Sequence, residues 1–170
     1  MSPWVGSSSA QRPTNRSATP NTGLGPSLTS TSLPAVTADP HAKEQVTYPM
    51  GSDALGSLLY TGSGRFSVTI SRRGRAGFAA GDLLSGTTEE QARAVEGFVA
   101  YAGRYSVHGD RVVHHVELSL FPNWVGTDQQ RSVELSGDRL ILSARPLLLA
   151  GTQQVPRLVW KRVDPFPRVG

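Results

Sequence analysis

From about residue 46 onward the chain is written in alternation. Arg65–Ser71 (RFSVTIS) puts Phe66, Val68 and Ile70 on one face and Arg65, Ser67, Thr69 and Ser71 on the other, the two-residue period of a strand. Gly56–Thr61 (GSLLYT) precedes it across Gly62-Ser63-Gly64, so the two read as a hairpin. Residues 72–86 are a Gly-rich loop. The period then changes: Ala92, Val95, Val99 and Ala102 recur at helical spacing, with Phe98 beside them. Thr87 and Glu90 have capping-box spacing and Gly103 is a natural terminator, which predicts one helix over about 88–102. Alternation returns in Arg104–Val107, Arg111–Leu120, Gln129–Ser136, Arg139–Ala144 and Gln154–Arg162. Gly109-Asp110 and Gly137-Asp138 repeat the same hairpin-turn chemistry, with Gly supplying positive φ and Asp capping its own backbone.

Sequential strands with short turns predict a mainly β, antiparallel up-and-down barrel, and about eight strands enclose room for one small ligand. The strands above are one short of that number. The only stretch left to supply the first is Leu28–Ala38, which is weak and broken by Pro34. Strand phase then selects polar groups that face an apolar interior. In Arg111–Leu120, the residues Val112, His114, Val116, Leu118 and Leu120 share the apolar face. In Gln129–Ser136 the apolar face is Arg131, Val133 and Leu135. Tyr60, Tyr105 and Trp160 fall on inward phases with Leu58, Val107 and Leu158. An apolar, aromatic interior with His114 and Arg131 as polar handles has the make-up of a small-molecule pocket. His114 could equally be a core histidine bonded to a backbone carbonyl, and Arg131 could snorkel to a rim.

Composition adds a boundary. Of residues 1–40, 25 are Ser, Thr, Pro, Gly or Asn, and Trp4 is the only aromatic before Tyr48. Such a segment cannot bury enough apolar surface to offset its ordering entropy. Residues 1–43 therefore read as a disordered, low-complexity segment or a mis-assigned start, 44–163 as the barrel domain and 164–170 as a tail. The 170 residues contain no cysteine, which removes disulfides, thiolate metal sites and Cys nucleophiles. No apolar run approaches the ~20 residues of a membrane helix, and the start has neither a basic nor an apolar signal region. The expected setting is cytoplasmic, without membrane association. The net charge is +4, and the basic residues are almost all Arg, with one dense cluster at Arg72-Arg73-Gly74-Arg75. Nucleic-acid binding through that cluster ranks third among the functions, because no aromatic stacking pattern accompanies it.

His114-His115-x-Glu117 has metal-like residues in the wrong geometry. On a strand His114 and His115 point to opposite faces, so only His115 and Glu117 converge, and two ligands do not make a zinc site. No metal and no cofactor is expected. GxSxG, GxxxxGK[ST] and GxGxxG are all absent. Any chemistry would be proton transfer by His114 with Arg131 stabilising an anion, as in a cofactor-free isomerase or cyclase.

Several runs carry a family resemblance: Val46-Thr-Tyr-Pro-Met-Gly51, Leu59-Tyr60-Thr61, Gly64–Arg72, Phe98-Val-Ala-Tyr-Ala-Gly103, and above all His114-His-Val-Glu-Leu-Ser-Leu-Phe-Pro-Asn-Trp-Val-Gly-Thr127 followed by Gln129-x-Arg131 and Arg157-Leu-Val-Trp160. Over about 44–162 the chain resembles the lipocalin-like domain proteins of the calycin group. The resemblance implies one calycin-type barrel, a helix inserted after the second or third strand, and a role in binding or cyclising small hydrophobic intermediates beside natural-product pathways. Such proteins usually open with a Gly-Thr-Trp first strand, which this chain lacks. A barrel without that strand would have two open edges and would tend to self-associate as a homo-oligomer. The leading expectation is a binder of a small, largely apolar molecule with an anionic or carbonyl group. Arg131 and His114 would contact that group. Tyr60, Tyr105 and Trp160 would line the pocket, and Asn123 and Trp124 would sit at its mouth. Tyr101, His115 and Glu117 form a second tier of candidates.

Overall fold

The computed structural model describes residues 27–32, 35–37, 46–82, 84–149 and 151–163. The disorder expected for 1–26, 33–34 and 38–43, and the tail 164–170, lie outside the described residues. The strands are β1 (Ser27–Ser32), β2 (Ala35–Thr37), β3 (Val46–Thr47), β4 (Leu55–Tyr60) and β5 (Arg65–Ser71), then, after the helix α1 (Thr88–Glu96), β6 (Phe98–His108), β7 (Arg111–Ser119), β8 (Asp128–Ser136), β9 (Arg139–Ala144), β10 (Leu147–Leu149) and β11 (Thr152–Arg162). A 3-10 turn, Pro122–Trp124, lies between β7 and β8. All pairings are antiparallel. The order β1-β4-β5-β6-β7-β8-β9-β11 returns to β1, which closes an eight-stranded barrel. β2 and β3 continue the edge of β11 beyond β1, and β10 folds back on the start of β11, so one end of the barrel carries a small flap.

The first strand is therefore present, within the stretch expected to be low-complexity. Ser27–Ser30 pair with Leu59–Gly56 on one side, and Leu28–Ser32 pair with Arg162–Val159 on the other. SLTSTS has no apolar alternation to reveal it. A strand with partners on both edges is held by its backbone N–H and C=O groups, and these are indifferent to side chain. The two open edges expected for a chain lacking that strand are not found.

The helix starts as expected and ends early. Thr87 caps it: its hydroxyl accepts from Glu90 N while the Glu90 carboxylate accepts from Thr87 N. It stops at Gly97, not Gly103, and Phe98–Ala102 are strand. The run FVAYA satisfies either period, and its aromatic and β-branched residues favour the strand that pairs with β5. The remaining helix buries no side chain, so its Ala92–Val95 stripe does not dock on the barrel.

Gly103 has another role. Between Ala102 and Gly103 the register of β6 against β7 shifts, leaving Glu117 as the extra residue of a bulge. A Cβ on Gly103 would come within 2.0 Å of the His115 carbonyl oxygen, so only glycine lets the strands approach so closely. The bulge also reverses the side-chain phase. Val112, His114 and Val116 point inward and are buried as expected, but Leu118 and Leu120 do not follow them: Leu118 is 70% exposed, opposite Ala102 on the outside.

The core is formed by Leu58, Phe66, Val68, Ile70, Tyr101, Val112, Val116, Leu140, Leu142 and Trp160. The barrel's ends differ. Tight turns join β4 to β5, β6 to β7 and β8 to β9 at one end. The long connections, including α1 and the 3-10 turn, gather at the other with the flap. No helix among the described residues is long and apolar enough to cross a membrane.

Because the atoms facing Gly103 are backbone, Gly103→Ala is expected to lower unfolding stability by about 1–3 kcal/mol in urea denaturation. Gly77→Ala, where an added Cβ meets nothing within 4 Å, should stay within about 0.5 kcal/mol of the parent.

Candidate functional site

Two inward strand positions bring the barrel's buried charge and a buried phenol together. Arg131 on β8 is 5% exposed, and Tyr101 on β6 is buried. Both line an apolar cavity of about 160 Å³ at the long-loop end, with Met50, Ile70, Val99, Trp124, Leu149 and Leu158. The cavity opens beside a wider mouth of about 880 Å³, which shares Met50, Val99, Trp124 and Leu149 and is rimmed by Tyr48, Val95, Glu96, Leu120 and Phe121.

The polar atoms in this interior are under-satisfied. Arg131 donates from Nη1 to the Gln130 carbonyl at 2.9 Å and from Nη2 to Gln129 Oε1 at 3.5 Å, while its Nε has no partner. Tyr101 Oη, Trp160 Nε1 and His114 Nδ1 are also buried without partners. The Arg131 guanidinium lies close enough to the Tyr101 hydroxyl to favour its ionised form, although the geometry falls short of a hydrogen bond. Burial outweighs that pull and raises the Tyr101 phenol above its ordinary range.

His114 is completely buried, stacked on Phe66 at 4.1 Å between ring centres. Its Nε2 is 2.6 Å from Tyr60 Oη. Burial first, then the charges of Arg131 and His115, pushes its pKa down to about 3. The imidazole is therefore neutral. Burial likewise raises the Tyr60 phenol, which stays protonated. The economical tautomer has Tyr60 donating to Nε2 and Nδ1 carrying the proton, which leaves one unpartnered donor; the reverse assignment strands both a phenol proton and a lone pair.

The other expected residues divide. Trp124 lines both the cavity and its mouth. Tyr60 and Tyr105 line a separate cavity of about 310 Å³ at the tight-turn end. Their rings pack at 4.7 Å, and the Tyr105 hydroxyl donates to the Thr61 carbonyl. Trp160 and His114 fill the core between the ends and line neither cavity. Asn123 is exposed and also lines neither. The lining residues Met50, Val99 and Leu149 were not singled out from sequence. Tyr101, a second-tier candidate from sequence, lines the cavity.

His115 and Glu117 face outward. His115 Nδ1 is 2.7 Å from Asp128 Oδ1, and its Nε2 is 3.0 Å from Ser106 Oγ, which also meets His108 Nε2 at 3.0 Å. This network lies on an open strand face. Glu117 pairs with Arg65 and Arg104. Among the described residues no cluster of three His, Cys, Asp or Glu could hold a metal. The arginine cluster is committed to the protein itself. Arg72 Nη2 donates to the Pro49 carbonyl at 2.9 Å, Arg73 Nε to the Asp53 carbonyl at 2.8 Å, and Arg75 Nη2 to the Ala94 carbonyl at 2.9 Å. Arg75 also stacks over Phe98 at 4.8 Å. The contacts of Arg72 and Arg73 brace the loop that presents Pro49 and Met50 to the cavity, and those of Arg75 tie its own loop to the helix and to the start of β6.

Comparison with known proteins agrees with this geometry. The sequence model of the lipocalin-like domain matches residues 32–163. A curated relative, the 4'-hydroxy-3'-methoxypropiophenone carrier protein of Aspergillus oryzae (strain ATCC 42149 / RIB 40), is 39% identical over 106 residues, covering 57% of this chain and 96% of the relative.

Neutral burial of His114 has a pH signature. Between about pH 6.5 and 3 the unfolded chain takes up a proton at this position that the folded barrel refuses, so stability falls as pH falls. Urea denaturation should show this group removing about 1.4 kcal/mol per pH unit within that window. His114→Gln should be less stable than the parent at pH 7, with a shallower decline toward pH 4.

Proposed function

The chain belongs to the lipocalin-like domain family, and from that premise we propose that it is a carrier of a small, largely apolar aromatic molecule with a carbonyl or anionic group. The carrying observation is the pair of buried, unpartnered donors, Arg131 Nε and Tyr101 Oη, on residues lining an otherwise apolar cavity. A buried donor without an acceptor costs about 1–3 kcal/mol, which a ligand oxygen would recover. The apolar body of the ligand lies against Met50, Val99, Leu149 and the Trp124 ring, and enters through the mouth at the long-loop end. The relative's named ligand has that make-up: an aromatic ring, a short apolar chain and a ketone.

Two features favour carriage over the alternative of an isomerase or cyclase working through His114. The ring is sealed in the core, and its Nε2 is already occupied by Tyr60. With its pKa pushed down to about 3, it offers no imidazolium as an acid near neutral pH and is a weak base. Nucleic-acid binding loses its main support because the guanidinium groups of Arg72, Arg73 and Arg75 are engaged within the protein.

Titration with 4'-hydroxy-3'-methoxypropiophenone should quench tryptophan emission with a saturable curve, because Trp124 lines the cavity. Leu149→Trp, which places an indole in the same space, should weaken binding at least tenfold without loss of thermal stability. Unchanged affinity in that variant would place the ligand elsewhere.

A further inference from the structure

Arg131 presents an electrostatic problem that the protein does not solve by itself. Its hydrogen-bond acceptors, the Gln130 carbonyl and Gln129 Oε1, are both neutral. No Asp or Glu among the described residues is buried, and none forms an ion pair with Arg131. Arginine cannot shed its proton to relieve the charge. Tyr60 and Tyr101, which feel its field, remain neutral phenols, and His114 is a neutral imidazole. The described interior thus holds a full positive charge without a counter-charge, a state that is costly out of water.

The wall of the cavity beside this charge is apolar, and two of the residues that line it, Arg131 and Tyr101, each carry a buried donor without an acceptor, Nε–H and O–H. Two donors and a cation on residues that line an apolar cavity are the complement of an oxygen anion on an otherwise apolar molecule. Building on the carrier reading above, on which this step rests, we infer that the cavity takes its ligand ionised: a phenolate or enolate conjugated with a carbonyl, its oxygen anion placed between Arg131 and the Tyr101 hydroxyl. A ketone oxygen alone would satisfy a donor but leave the charge uncompensated. Conjugation spreads the negative charge over ring and carbonyl, so such an anion loses less on leaving water than a compact one. The proton balance is simple: the ligand O–H bond breaks, its electron pair stays on oxygen, and the proton passes to solvent on binding. The relative's named ligand, a phenol para to a ketone, belongs to this chemical class.

The test compares two probes on the full chain, 4'-hydroxy-3'-methoxypropiophenone and its 4'-O-methyl ether, which has no dissociable proton. Ionising a phenol para to a carbonyl moves its absorption to longer wavelength, so the bound form can be read directly. At a pH one unit below the free probe's own pKa, the bound hydroxy compound is expected to show the phenolate band. Its apparent pKa should fall by about one to three units, the usual effect of an adjacent cation. Binding should release a proton into weakly buffered solution, and the ether should bind at least tenfold more weakly. Arg131→Lys should retain part of the pKa shift, and Arg131→Met should abolish the phenolate band. Because Arg131→Met could disturb folding, the parent's behaviour with the two probes decides the matter. A bound hydroxy probe with the spectrum of the neutral phenol and the affinity of its ether overturns ionised binding and leaves the carrier reading intact. Failure of both probes to bind overturns the carrier reading and ionised binding together.

Discussion

The interior exists because a ring of backbone hydrogen bonds closes, and β11 makes the closure. Its eleven residues pair with β9 and β10 along one edge and with β1 and β2 along the other. Were β1 absent, β4 and β11 would present unpaired N–H and C=O groups beside the core, and water would reach them. With it in place, a barrel of eight strands is just wide enough for side chains to fill. Trp160, His114, Leu58, Leu142 and Val68 are all at most 1% exposed and occupy the middle of the lumen. The cavities at either end are the space that this plug leaves over.

The plug is aromatic along its length and only partly apolar. Ring contacts run from Tyr105 and Tyr60 through His114 and Phe66 to Tyr101, Trp124 and Phe121. Arg131 acts on this series as a fixed charge. It lowers the ionisation tendency of His114 while drawing the two phenols, Tyr60 and Tyr101, toward ionisation, and burial opposes it at both phenols. The outcome is a stack of neutral polar rings around one cation. At the tight-turn end the Tyr60–His114 hydrogen bond occupies most of the polar valence, whereas at the long-loop end the donors remain free.

Much of this was legible in the sequence, and the failures share a cause. Arg65–Ser71 and Arg139–Ala144 run between the expected residues, the first because its alternation is clean and the second because the Gly137-Asp138 turn fixes its start. Thr87 and Glu90 form the capping box, and Gly109 and Gly137 take the positive φ of their turns. His114 and Arg131 point inward, as strand phase requires. What went unread is set by backbone or by position along the barrel axis. β1 falls in the stretch named as the weak candidate for the first strand, and it reads weakly because main-chain pairing holds it and it carries no side-chain pattern. The bulge at Glu117 is a shift of register that turns Leu118 outward, and Gly103, which permits it, resembles a helix terminator in the sequence. Phase says that Tyr60, Trp160 and Tyr101 face inward but not how far along the axis each lies, so residues of two cavities and a plug merged into one imagined pocket.

The axis also explains why the mouth lies where it does. Antiparallel connections alternate between the two ends, and here the tight turns that join one barrel strand directly to the next fall together at 61–64, 109–110 and 137–138. Such turns satisfy their own backbone locally and add little that could move or open. The opposite end inherits the long connections, whose carbonyls have no sheet neighbour and need other partners. Arg72, Arg73 and Arg75 supply them at Pro49, Asp53 and Ala94, a use of guanidinium that relies on its several fixed donors and not on charge pairing alone. The cluster that suggested a polyanion partner is therefore spent on the backbone of the chain's own connections. Of these bonds the one from Arg72 reaches Pro49, next to Met50 on the cavity lining, and as an exposed hydrogen bond it is individually weak.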